Sequence, residues 1–188
     1  MLALVLPVFF SCRKDEWPQD YTDEERALMD RLVGEYALED VIWEGVEVDL
    51  DGDGAAETDF YSLFNSHEFG FADDMNLVAR HLKGYGYPVS IDIGLTLFDR
   101  SSDHWWQTSF YAYVSITGGV YEAREIGDRF GDREMTLADM TLEPSGGDLF
   151  CFSGDTVVHD RLTDSFVPGR ITWIFRCTSG KGKNDLKQ

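Results

Sequence analysis

Three stretches alternate apolar and polar residues with a period of two, and this pattern restricts the fold more than any other feature of the chain. Residues 89–98, VSIDIGLTLF, put Val89, Ile91, Ile93, Leu95 and Leu97 on one side and Ser90, Asp92, Gly94 and Thr96 on the other. Residues 104–116, HWWQTSFYAYVSI, place Trp106, Phe110, Ala112, Val114 and Ile116 against Trp105, Gln107, Ser109, Tyr111, Tyr113 and Ser115. Residues 170–177, RITWIFRC, separate Ile171, Trp173, Phe175 and Cys177 from Thr172 and Arg176. Successive side chains of a strand point to opposite faces, so each stretch reads as an antiparallel strand with one face buried. Further strands are expected in 35–48, 118–126, 133–144 and 147–154, divided by the turn residues Thr117-Gly118-Gly119, Ser145-Gly146-Gly147 and Pro168-Gly169. Short strands at close spacing without alternating helices predict a mainly β chain, an antiparallel barrel or sandwich.

The helical signal is confined to residues 22–34, TDEERALMDRLVG. Thr22 and Glu25 form a capping box, acidic residues fill the first turn, Leu28, Leu32 and Val33 make an apolar stripe, and Gly34 can end the helix. Residues 76–86, NLVARHLKGYG, are compatible with a short helix or a loop. The repeated Gly-Asp-Arg in IGDRFGDRE reads as a loop with salt-bridging side chains.

With 188 residues and 43% hydrophobic content, the chain suits one domain with a real core. Its 16 basic and 35 acidic residues give a net charge of −19, which argues against nucleic acid, because a binder must neutralise phosphates with clustered Lys and Arg. The first twelve residues, MLALVLPVFFSC, are uncharged, too short to span a bilayer, and of the length of a signal-peptide apolar region. The alternative is an apolar strand buried in the core. The expected organisation is a signal segment over 1–12, a linker over 13–21, a single β-rich domain over 22–178 and a flexible tail over 179–188.

The segment VEVDLDGDGAAETDF, residues 46–60, carries Asp49, Asp51 and Asp53 at alternate positions, followed by Gly54. Calcium takes six to eight oxygen ligands, which a twelve-residue loop supplies from positions 1, 3, 5, 7, 9 and 12 around a glycine at 6. On that template Asp49, Asp51 and Asp53 stand at 1, 3 and 5, the Ala55 carbonyl at 7 and Glu57 at 9. Phe60 occupies position 12, leaving Asp59 as the nearest substitute for its carboxylate. The competing reading is a polar turn. A strand is expected before this loop, and a short helix capped by Thr58 after it.

Other chemistry is sparse. None of the four histidines has the spacing of a zinc helix motif, and no nucleophile elbow, phosphate loop or dinucleotide fingerprint is present. Trp105, Tyr111 and Tyr113 share one face of their strand, which suits a glycan or a small amphipathic ligand unless a helix or a second sheet covers it. Cys151 and Cys177 either form a disulfide, on the order of 3 kcal/mol of stabilisation, or remain buried free thiols.

The sequence Phe9-Phe10-Ser11-Cys12 resembles a relaxed bacterial lipobox in which Cys12 is lipidated, and Lys14-Asp15-Glu16 resembles a surface-export signal. With the helix running into LVGEYALEDVIWEG, then DLDGDGAAETDF and a closing TWIFR strand, these segments resemble small envelope lipoproteins of Bacteroidetes with lipocalin-like cores. Tyr36 in VGEY stands where lipocalins carry a Trp. The resemblance implies a lipid-anchored, non-enzymatic binding or accessory protein at the outer membrane, on its periplasmic or cell-surface side. The alternative function is a glycan hydrolase using paired carboxylates.

Overall fold

A computed structural model describes residues 20–66, 70–82, 88–128, 137–145 and 148–180. The lipobox with Cys12, the export signal, most of the linker, most of the Gly-Asp-Arg repeat and the tail from 181 lie outside the described residues. What is described is one eight-stranded antiparallel sheet that curls into a nearly closed barrel, as the alternation predicts.

The strands are β1 (Gly34–Glu44), β2 (Asn76–His81), β3 (Val89–Asp99), β4 (His104–Thr117), β5 (Val120–Asp128), β6 (Ala138–Ser145), β7 (Leu149–Asp160) and β8 (Ser165–Gly180). Their order is β5-β4-β3-β2-β1-β8-β7-β6. It is a meander whose ends join through the β1–β8 pair, where Tyr36 faces Cys177 and Trp43 faces Ile171. The remaining seam lies between β5 and β6, which approach each other without a recorded ladder among the described residues. Residues 76–81, open between helix and loop in the sequence, are strand β2, paired with both β1 and β3. Their alternation is only three pairs long, too short for periodicity to decide.

The inner face is filled by large side chains. Trp173, Phe150, Phe152 and Phe175 are fully buried, joined by Ile91, Ile93, Leu95, Phe110 and Val114. Trp43 lies so close over Gly169 that a Cβ there would sit 2.3 Å from its ring, which accounts for that glycine.

Helix α1 (Asp23–Leu32) closes one end of the barrel. The predicted capping box is present: Glu25 N donates to Thr22 Oγ1 at 3.2 Å, and Thr22 N donates to Glu25 Oε2 at 2.8 Å. The other Glu25 oxygen accepts from Gly118 N at 2.6 Å, fastening α1 to the β4–β5 turn. Met29, outside the expected stripe, is its fully buried residue, while Leu28 and Val33 are only partly covered. Gly34 is not a helix terminator but the first residue of β1, and the C-cap is Val33 in extended conformation.

The opposite end gathers the β3–β4 and β7–β8 turns and the segment that leaves β1. Helix α2 (Phe60–Phe64) plugs it with Phe60 stacked on Trp43 at 4.9 Å and 11°. Its cap is Asp59, which accepts from Ser62 N, and not the expected Thr58.

Candidate functional site

The aspartate loop runs between β1 and α2, closed by Val48 and Glu57, which exchange backbone hydrogen bonds of 3.0 Å in both directions. Inside this pinch the chain turns on Gly52 (φ 83°) and Gly54 (φ 89°), both in the left-handed region that favours glycine. Asp49 is the anchor. It is 1% exposed, and its carboxylate accepts from Gly52 N at 2.6 Å through Oδ1 and from Gly54 N at 3.0 Å through Oδ2. Asp51 accepts from Asp53 N at 3.1 Å and Asp53 from Ala55 N at 2.7 Å.

These turns bring one carboxylate oxygen from each of Asp49, Asp51 and Asp53 within 4.8 Å of one another. Glu57 returns beside them: its carboxyl is pushed above the ordinary range by burial, then by the charges of Asp51, Asp53, Asp59 and Asp49. Asp59, the expected substitute at position 12, has both oxygens engaged by Ser62, Oδ1 with its N–H at 3.0 Å and Oδ2 with its hydroxyl at 2.7 Å. Those bonds hold the Asp59 carboxyl below its usual range. The structure therefore assembles the first three predicted ligands, sets Glu57 near them and commits Asp59 to a helix cap. An all-oxygen donor set of this kind suits a hard cation such as calcium and not zinc or copper.

The loop is wired into the β7–β8 turn. Asp49 N donates to Asp160 Oδ1 at 3.0 Å, Arg161 N donates to Asp49 O at 2.8 Å, and Arg161 Nε donates to Leu50 O at 3.0 Å. That turn, Asp160-Arg161-Leu162-Thr163-Asp164, has a counterpart in the β3–β4 turn, Asp99-Arg100-Ser101-Ser102-Asp103. In both, a buried first aspartate accepts from the N–H two residues on and the hydroxyl three residues on. In both, the last aspartate has positive φ, 50° for Asp164 and 54° for Asp103. His159 joins the two turns, its Nδ1 3.1 Å from Asp103 Oδ1 and its Nε2 3.0 Å from Asp164 Oδ1. This paired turn is a feature that pattern reading of the sequence passes over, although the spacing Asp-Arg-x-Ser/Thr-Asp is legible twice.

The aromatic face is divided. Tyr111 and Tyr113 stand side by side on the outer face of β4, ring centres 6.0 Å apart, with Tyr111 leaning over Gly127 of β5. Trp105 lies six residues away and packs against Phe64, Phe71 and Phe98, so it belongs to the plug at the barrel end and not to a shared ligand surface. Neither α1 nor a second sheet covers the two tyrosines completely, and both stay half-buried.

Of the two alternatives for Cys151 and Cys177, the structure has free thiols and no disulfide between them. Cys151 sits between the inward Phe150 and Phe152 and so points outward, whereas Cys177 points inward opposite Tyr36. Residues on opposite faces of a ladder cannot bring their sulfurs to bonding distance.

Among the described residues, no helix is long and apolar enough to cross a membrane. No known protein family, curated protein or solved structure matches this chain.

Proposed function

We propose that this chain is a lipid-anchored protein of the bacterial outer membrane, of non-enzymatic binding or accessory type, with calcium as a structural ion at one end of its barrel. The observation that carries the calcium reading is the convergence of Asp49, Asp51 and Asp53 within 4.8 Å on a loop whose backbone is bonded to the β7–β8 turn. Calcium there would neutralise three carboxylates that otherwise repel one another, and so fix the passage from β1 to α2. Asp49, Asp51 and Asp53 each offer a side-chain oxygen, and Glu57 is the neighbouring acid available to complete the set. The role is structural because these groups are fixed by backbone hydrogen bonds, with no nucleophile placed against them among the described residues.

The anchor rests on the apolar run ending at Cys12 and on the resemblance to envelope lipoproteins. The outer face bearing Tyr111 and Tyr113 is assigned to a glycan or small amphipathic ligand, because the rings offer apolar area beside the polar groups of β3 and β4. Calorimetric titration of the metal-free chain with calcium tests the first element, with one saturable site expected; absence of heat and of any melting shift rejects it. Incorporation of labelled fatty acid in cells, lost in Cys12→Ser, tests the second, and labelling that survives the substitution rejects it.

A further inference from the structure

Gly94 lies in the middle of β3, flanked in register by Asn76 on β2 and Ser109 on β4. Glycine inside a strand forfeits stability, so its presence has a local cause: a bulge, a bend, or close approach by backbone or a ligand. Register through Gly94 is unbroken toward both neighbouring strands, which removes the bulge. Its φ is not in the left-handed region. A Cβ built there would meet Asp74 O at 3.5 Å, Asn76 Oδ1 at 3.6 Å and Asn76 O at 3.7 Å, all ordinary contacts, which removes close approach by backbone. Gly94 lines a groove of about 390 Å³ on the outer face of β2, β3 and β4.

The walls of this groove are polar and mixed. Asn76 Oδ1, the Asp74 carbonyl and the Asp92 carboxylate can accept hydrogen bonds, while the Gln107 amide and the Ser109 hydroxyl can donate as well. Asp92 is already balanced in part by Arg80 at 3.7 Å. Along the same face, Asp92 is in register with Tyr111, and Ser90 with Tyr113. Two half-buried tyrosines therefore follow the groove along β4, with the Tyr111 ring turned toward Gly127 of β5.

We propose that the Gly94 groove is a binding site for a neutral saccharide, with a sugar ring seated over the glycine and the next unit against Tyr111 and Tyr113. The inference rests on the assignment of the tyrosine face to a glycan or amphipathic ligand and narrows it to a site and a ligand class. Each sugar hydroxyl both donates and accepts, which matches walls that offer both kinds of group. A bare organic cation would use the acceptors and leave the Gln107 and Ser109 donors unanswered. The C–H faces of a pyranose supply the apolar side that tyrosine rings accept.

The test titrates the full chain with neutral hexasaccharides built on glucose, mannose, galactose and N-acetylglucosamine, and with choline as a cation control, alongside Gly94→Val and Ser109→Leu, which fill the groove from two strands. Expected is binding of at least one hexasaccharide by the wild type, at least about tenfold weaker in either variant. Gly94→Ala, measured as the stability control, should melt no lower than wild type, because the Cβ makes only ordinary contacts and glycine inside a strand forfeits stability. A lowered melting temperature in Gly94→Ala would assign the glycine to a bend and overturn the proposal. Wild-type affinity in both variants, with loss only in a Tyr111→Ala, Tyr113→Ala double variant, would overturn the groove and leave the tyrosine face standing. Binding of choline in place of sugars overturns the ligand class, and absence of any binding overturns both groove and face.

Discussion

Withholding the proposed calcium from the aspartate loop is the perturbation with the largest expected consequence, and its size follows from the geometry. Three carboxylates with oxygens within 4.8 Å repel one another by about 0.9 kcal/mol per pair even at the dielectric constant of water, about 2.6 kcal/mol for the three pairs. In the apo protein this repulsion is opposed by the Gly52 and Gly54 hydrogen bonds to Asp49. Calcium at a hundredfold excess over its dissociation constant should stabilise the fold by about 2.7 kcal/mol. For a chain of this length that corresponds to a rise of about 5–11 °C in melting temperature, measured by calorimetry in calcium against chelator. Magnesium should do less, because its strict octahedral shell is served poorly by a flexible loop of carboxylates. Asp51→Ala removes two of the three repulsions, worth about 1.7 kcal/mol, and loses its bond from Asp53 N, worth about 1 kcal/mol. Its apo stability should therefore stay within about 1 kcal/mol of wild type while the calcium shift disappears. A wild type that melts at the same temperature in calcium and in chelator would show that the loop is only a turn.

The rest of the fold offers independent tests. Met29→Ala should cost about 2–5 kcal/mol in chemical denaturation, since the side chain is fully buried where α1 closes the barrel, and a cost near zero would mean that the helix is undocked in solution. Glu25 is held below its ordinary range, first by the Thr22 backbone N–H, then by that of Gly118. A depressed carboxyl contributes stability present above its unfolded pKa of about 4.3 and lost as pH falls through the lower folded value, so Glu25→Gln should flatten the acid limb of the stability profile below about pH 4.5. An unchanged limb would deny that Glu25 ties α1 to the β4–β5 turn. Alkylation in denaturant without reductant, on a Cys12→Ser chain, should label both Cys151 and Cys177; protection of both until reductant is added would mean that they are bridged.

Strand content was readable because the sheet has one buried face, so that alternation in 89–98, 104–116 and 170–177 maps directly onto inward and outward side chains. The same logic underestimated strands whose ends leave the barrel wall. β7 continues past the predicted 147–154 to Asp160, and β8 begins at Ser165, because the long hairpin reaches over the barrel end to meet the β3–β4 turn, where no period-two contrast is imposed. Trp105 misled for a related reason: parity places it with Tyr111 and Tyr113, but at its end of β4 the outer face is itself covered, by Phe64 and Phe71. Parity says which way a side chain leaves its strand and nothing of what waits there.

The acidic end of the barrel shows where short-range pattern and long-range packing part company. Asp49 could be recognised from its spacing to Asp51, Asp53 and Gly54, yet its burial depends on Asp160 and Arg161, more than a hundred positions later. Those two residues begin one of the paired Asp-Arg-x-Ser/Thr-Asp turns, and the other begins at Asp99. Each turn bonds its buried first aspartate to N–H and hydroxyl groups within three residues, and Asp160 accepts from the distant Asp49 N as well. Each then sends its arginine outward to a different element: Arg161 to the Leu50 carbonyl, and Arg100 over the Phe166 ring at 4.7 Å. Because the first aspartate and the arginine serve such different ends, a substitution at Arg161 should disturb the aspartate loop without unfolding the turn, whereas one at Asp160 removes both supports at once.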